Sequence, residues 1–355
     1  MKRLLSLLLS SGILFSHLAV SADADYKIVT ASERGTYIRI GRDFAQFVAP
    51  AANISLQSVS SAGSVDNVRR LRYEPGVKFA LVQSDVYQAF LDMAGSGNAE
   101  AGALIKPLRV IMPLYNEEIY FIVRADSERN FIHEIRNGRI NAGEVGSGTA
   151  LTSTTLYRLM FGEAIPEGKT TFLSNEEALV KLVTDKSIDV VAVVAGQPAK
   201  LLVDMTPEAR QHIKLLKFDP GHSSSRSVLR TYFQATIRAA NYPSLLTADL
   251  TGLAVKALLV TYDFQMKDTE GSLRRFARSL CQNFPTLQEK GHPKWREVDL
   301  ALPDLGRSWT YYGPTSTELR ACGGSSARPA TAAVSTTPAA GKVCSQAERV
   351  LGLCK

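Results

Sequence analysis

Cysteine and histidine are scarce in this chain of 355 residues, and neither is spaced to hold a metal. The four cysteines, at 281, 322, 344 and 354, include no Cys-x-x-Cys pair. In an oxidising compartment they therefore read as disulfides rather than metal ligands. The five histidines lie at 17, 133, 212, 222 and 292. His133-Glu134 opens like a zincin helix, but Asn137 occupies the second ligand position, so a solvated helix face is the reading and no metal is expected. Charge is not blocked by sign: the formal net charge is +7 and the basic residues are scattered, which gives no stripe for nucleic acid. Beyond the N-terminus, no apolar run is long enough to cross a bilayer. Glu117-Glu118, Glu176-Glu177 and Asp189 are the acids considered for acid–base chemistry. Glu177 is explained by a helix cap, and adjacent carboxylates in a strand point to opposite faces. No nucleophile–base pair stands out, so neither an enzyme nor a cofactor is expected.

What is present starts with Lys2-Arg3 and an apolar stretch from Leu4 to Val20, broken by Ser10, Ser11, Ser16 and His17. A charged start, a short apolar core and small residues at Ala22 and Ala24 read as a secretory signal peptide over 1–24. The mature protein is then expected in the periplasm. Hydrophobic residues make up 45% of the chain, enough for the cores of two lobes.

One stretch organises the rest: Arg139-Ile-Asn-Ala-Gly143-Glu-Val-Gly146-Ser147-Gly148-Thr149. It reads as a strand, a glycine-rich loop and a helix start, with Leu156, Leu159 and Met160 continuing at helical spacing. A helix N-terminus carries unpaired N–H groups and about half a positive charge, so it suits a carboxylate or phosphate without a lysine. No lysine stands in this loop, which removes the Walker phosphate motif, and Gly-x-Ser-x-Gly is absent. The other reading is an ordinary capped turn. A second copy of the arrangement runs from the strand Tyr26–Ala31 through Gly35-Thr36 into a helix bearing Tyr37, Ile40 and Phe44. Further strands at Ile54–Val59, Phe79–Val82 and Val190–Val194 each end in a polar turn. Several polar helix starts at strand ends make a ligand cleft.

Taken in order, Gly35-Thr36-Tyr37, Ser61-Ala-Gly-Ser-Val-Asp-Asn67, Ala80-Leu-Val-Gln83-Ser84-Asp85, Gly146-Ser-Gly-Thr149 and Ala195-Gly-Gln197-Pro198 resemble the TAXI family. That family comprises solute-binding proteins of TRAP transporters, and the resemblance covers roughly Tyr26 to Tyr262. It implies an α/β fold of the two-lobed periplasmic binding protein type (type II-like). Each lobe is a sheet flanked by helices, and a small organic anion of the glutamate or dicarboxylate class sits in the cleft. The implied partners are that anion and a TRAP-type permease; a monomer is expected. Departures from the family pattern fall at Ser32-Glu33-Arg34, at Tyr115-Asn116-Glu117-Glu118 and at His292-Pro293-Lys294-Trp295.

The residues expected at the ligand are Gly35, Thr36, Tyr37, Ser61, Gln83 and Ser84 from the first lobe, with Ser147, Gly148, Thr149 and Gln197 from the second. Tyr37 or Tyr115 would pack on the ligand's carbon skeleton. Gln197 reads either as a hydrogen-bonding group or as part of a simple turn. The expected organisation is a first lobe over 25–116, a second over 117–231 and a return to the first over 232–320. Leu108–Tyr115 and Ile119–Arg124 read as two strands at the first crossing, Phe131–Arg136 as a short helix, and Tyr232–Arg238 as a strand-like run at the place of return. A linker rich in Ala, Ser, Thr and Pro follows over 321–343, then a segment bounded by cysteines over 344–355. At least one disulfide should involve this tail; Cys281 is a further candidate or else a buried thiol on its helix. The alternative function is a sensory receptor of the same fold acting through a membrane partner.

Overall fold

Two long strands run through the middle of the protein and join its halves. The computed structural model describes residues 26–305, 309–322 and 346–353. Its strands are β1 (Tyr26–Val29), β2 (Leu56–Val59), β3 (Val77–Gln83), β4 (Leu108–Arg124), β5 (Ile140–Asn141), β6 (Thr170–Thr171), β7 (Val190–Ala195), β8 (Ile213–Leu215), β9 (Phe233–Ile237) and β10 (Leu250–Tyr262). They form one sheet in the order β2-β1-β3-β10-β4-β7-β5-β6, with β8 on β4 and β9 on β10. At one end β1 pairs in parallel with β2 and β3. At the other, β5 pairs in parallel with β6 and β7. Between them β4 and β10 run antiparallel, registered from Leu253 opposite Ile119 to Tyr262 opposite Leu108.

Helices α1 (Thr36–Asp43), α2 (Ser64–Tyr73), α3 (Ser84–Gly95), α4 (Ala99–Ile105), α5 (Gly148–Phe161) and α6 (Asn175–Val183) cover the sheet. Covering both faces demands strands that are apolar throughout, as Val190-Val-Ala-Val-Val-Ala195 is. Alternate residues feed different cores: Ile28 joins one cluster with Phe44, Phe79, Phe276 and Trp295, while Val29 joins another with Val68, Val82 and Phe90. At the far end Phe121 packs with Leu156 and Val190, and Tyr120 with Leu182 and Val191. Each end thus has its own pair of cores, which makes two lobes. This is a two-lobed α/β architecture. The helix Lys267–Lys290 closes the first lobe; Phe276 meets Phe79 at 4.5 Å between ring centres, and truncating it to alanine would cost about 3–5 kcal/mol.

Several expectations change. The two strands read around Tyr115 are one continuous β4, because Asn116, Glu117 and Glu118, polar as they are, stay in register with β10. The helix expected over 131–136 shrinks to a single turn, Ile132–Glu134. The strand expected over 232–238 is present as β9, Phe233–Ile237, but its Ile237 packs with Tyr242 and Leu250 in the core of the second lobe. The chain goes back along β10.

Cys281, on the helix Lys267–Lys290, is bonded to Cys322 at the end of the helix Gly313–Cys322. It is therefore a disulfide partner and not a buried thiol. Cys344, Cys354, the 1–24 leader and most of the 321–343 segment lie outside the described residues. The described part of the tail includes the short helix Gln346–Val350. Val350 and Leu351 are buried in the first lobe's core with Val65, Val68 and Leu71. Arg349 pairs with Glu167 of the second lobe at 3.1 Å, and Arg69 donates to Gly352 O at 2.7 Å.

Candidate ligand-binding cleft

Four helices begin at the same cleft. Gly35 precedes α1 and Gly63 precedes α2, neither with a side-chain cap, so no cap side chain takes up their first-turn N–H groups, although in α2 that of Asp66 is spent on Gly146 O. Ser147 caps α5 by accepting from Ala150 N at 3.0 Å, and Ser174 caps α6 by accepting from Glu177 N at 3.2 Å. The cap at Ser147 leaves the N–H groups of Gly148 and Thr149. The cleft they share, about 170 Å³, is lined by Gly35, Thr36, Tyr37, Gly63, Ser64 and Gln83 from one lobe and Ser147, Gly148, Thr149, Ser174 and Val194 from the other. Four positive dipole ends around a small space favour a small anion.

The lobes touch around this space. Asp66 N donates to Gly146 O at 3.0 Å and Thr36 Oγ1 to Gly196 O at 3.3 Å. Gly63, at φ +127°, brings its loop so near that a Cβ there would stand 3.2 Å from Ser147 Cα. At the mouth, Arg34 pairs with Glu176 across the gap at 3.6 Å. Farther in, the Asp85 carboxylate accepts from Thr152 Oγ1 at 2.6 Å and from Tyr232 Oη at 3.0 Å. That joins α3 of the first lobe to α5 and to the loop before β9. Burial raises the Asp85 pKa to about 6, against the lowering by these two hydroxyls.

The floor is made by β4. Glu117 and Glu118 face opposite ways, as neighbours on a strand must. Glu117, 4% exposed, turns toward the cleft beside Tyr37; Glu117 Oε2 and Tyr37 Oη both lack a partner in hydrogen-bond geometry. Burial, with the charge of Glu118 and Asp85, pushes the Glu117 pKa up to about 8, although the Tyr37 phenol and Lys294 pull it down. Glu118 turns away and accepts from Gln197 N at 2.7 Å, Gln197 Nε2 at 2.9 Å and Lys294 Nζ at 2.7 Å. Desolvation raises its pKa too, with Lys294 opposing.

Of the residues expected at the ligand, Gly35, Thr36, Tyr37, Gln83, Ser147, Gly148 and Thr149 come together on the cleft. Ser61, Ser84, Tyr115 and Gln197 do not line it. Ser61 Oγ lies 3.1 Å from Thr30 O and 2.6 Å from Asn67 Oδ1, stitching strand ends. Ser84 begins α3. Tyr115 is fully buried in the core with Phe44 and Trp295. Gln197, before a cis Pro198, spends its side chain on Glu118, Thr236 O, Arg238 N and Asn241. It orders the β7 turn. Glu117, Ser64 and Glu176 line the cleft and were not among the expected residues. For Glu117 the signal existed: strand alternation puts one of two adjacent acids on a different face from the other.

The arrangement can hold an anion through backbone N–H groups and hydroxyls and can shield it from water. Among the described residues no group of three or more His, Cys, Asp or Glu is placed to hold a metal ion, and no helix is long and apolar enough to cross a membrane.

Similar solved structures include the periplasmic binding protein BugD, 13% identical, with 84% of this chain and 93% of that one covered at a TM-score of 0.49. XAC2383 from Xanthomonas citri bound to ATP is 12% identical, with 84% and 95% covered at 0.46. A binding protein component of an ABC phosphonate transporter from Pseudomonas aeruginosa has the same values, 12%, 84%, 95% and 0.46. A family model matches residues 28–302, well over half of the sequence, and the chain therefore belongs to the NMT1-like family.

Proposed function

We propose that the protein is an extracytoplasmic solute-binding protein of the TAXI kind, which captures a small organic anion and delivers it to a TRAP-type membrane permease. The glutamate or dicarboxylate class is the ligand reading. The observation that carries it is the convergence of the N-termini of α1, α2, α5 and α6 on one small cleft between two lobes. In this reading 1–24 exports the chain to the periplasm. The lobes are those expected from the sequence, with the second extended to the start of β10. Gly35, Thr36, Gly148 and Thr149 offer N–H and hydroxyl donors to the anion, Gln83 bridges beside them, and Tyr37 lies along the carbon skeleton.

The test is direct. Protein purified from the periplasm is denatured and the released small molecules are identified by mass spectrometry, then added back to stripped protein in a calorimeter. The expected result is a carboxylate that rebinds at one site per chain. If no small anion is released and none of a panel of carboxylates binds, the solute-binding reading falls. If an anion binds but the neighbouring membrane partner proves to be a kinase, the protein is a receptor rather than a transport subunit.

A further inference from the structure

The floor of the cleft holds a carboxyl group that anion binding, as argued above, does not use; the inference from it rests on that binding role. Glu117 is buried, lines the cleft, and has an oxygen without a partner. A buried carboxylate needs a cation. Lys294 does not serve, because its Nζ lies 2.7 Å from Glu118 Oε1 and 3.0 and 2.8 Å from the two oxygens of Glu297. Three acceptors use up the three hydrogens of an ammonium group. The cations that line the cleft are also engaged: Arg34 pairs with Glu176, and Lys200 with Asp204. The remaining groups that bear on Glu117 are the acids Glu118 and Asp85, the phenol of Tyr37 from α1 and the phenol of Tyr115 on its own strand. None brings positive charge.

A proton is what balances this site. We infer that Glu117 meets the solute as a neutral carboxylic acid and donates a hydrogen bond to the anion, so that the protein captures an anion and retains a proton together. The preferred ligand then carries an acceptor oxygen that reaches the floor while its charge faces the helix termini. Binding and protonation reinforce each other reciprocally, since an anion beside the carboxyl group favours its neutral form. With burial holding the Glu117 pKa up at about 8, neutral pH finds the acid already protonated. Affinity is lost above that value, where each anion must draw a proton from solvent.

The experiment is calorimetry on the purified mature protein with succinate, glutarate and L-glutamate as probes, from pH 6.5 to 9, in buffers of different ionisation enthalpy. The expected result is an affinity that is level near pH 7 and falls toward a tenfold loss per pH unit above 8. Proton uptake should rise toward one per anion there. In Glu117→Gln, whose amide donates but does not ionise, the slope should vanish. Should that variant fail to fold, the proton count of the parent protein decides alone. Affinity that climbs from pH 6.5 to 8 with proton release would mean that Glu117 accepts from a cationic group of the ligand, and the inference falls. A level profile with no proton exchanged also overturns it while leaving the binding role intact. If no probe binds at any pH, the anion-binding reading fails and the inference with it.

Discussion

Lys294 Nζ stands 2.7 Å from Glu118 Oε1, with 0% and 3% of the two side chains exposed. The pair ties the turn Pro293–Glu297 to the middle of β4, where the chain passes from one lobe to the other. Desolvating two charges is expensive, and their attraction offsets it only when the other valences are filled. Here Glu297 and Gln197 fill them. Removing one partner is therefore worse than removing both. Lys294→Met should cost about 3–5 kcal/mol in urea denaturation, and adding Glu118→Gln should restore a large part of it. Equal losses in the single and double variants would show that the two side chains are not coupled.

How much of this was legible beforehand follows from the range of each interaction. The strand, polar turn and helix start recur at short range, so the helix N-termini at Gly35, Gly63 and Ser147 could be read directly from local pattern. The crossing could not be placed as well. Asn116-Glu117-Glu118 looked like a break between strands because its partners, Lys294 and Gln197, lie 176 and 79 residues away. Gln197, by its position after a strand, reads from the sequence as a ligand contact or as part of a turn. Its actual work is to satisfy Glu118, which no local pattern reveals. Asp85 illustrates the same limit: its partners Thr152 and Tyr232 become neighbours only when the lobes meet.

Glu117 also predicts a pH dependence of stability in the absence of any ligand. Its folded pKa of about 8 lies above the value of about 4.3 for an unfolded glutamate. Between those values the folded state binds the extra proton, so stability is fullest at the acid end and is lost as pH rises. The slope approaches about 1.4 kcal/mol per pH unit and levels off above 8. Glu117→Gln should remove that contribution, leaving the variant more stable than the parent at pH 8 by melting temperature. A parent and variant with parallel profiles from pH 5 to 8 would show that Glu117 ionises normally.

The disulfide between Cys281 and Cys322 closes a sequence separation of 41 residues, with Cα atoms 6.1 Å apart. Chain entropy alone assigns a loop of that size about 4 kcal/mol. Its effect is to hold the helix Gly313–Cys322 on the helix Lys267–Lys290, away from the cleft. Cys281→Ser with Cys322→Ser should thus lower the melting temperature by several degrees under non-reducing conditions and leave ligand affinity nearly unchanged. A variant that melts like the parent would refute a stabilising role for the bridge.

The N-terminus of α5 is the part of the cleft most open to a decisive substitution. Ser147 Oγ caps Ala150 N at 3.0 Å, while the backbone around Gly146 and Gly148 closes on the opposite lobe. An aspartate at 147 would preserve the cap, since Asp and Ser are similar N-caps, yet it would place a carboxylate where the solute's belongs. Repulsion follows, and the loss of one charge-assisted hydrogen bond costs about 1.5–3 kcal/mol. Ser147→Asp should accordingly weaken binding by at least about tenfold in calorimetry, with little change in the melting temperature of the ligand-free protein. Ser147→Ala gives the opposite pattern: it loses the cap, at about 1 kcal/mol of stability, but introduces no charge. If Ser147→Asp binds the solute as tightly as the parent, the α5 loop is only a capped turn, and the anion lies against α1 and α2 instead.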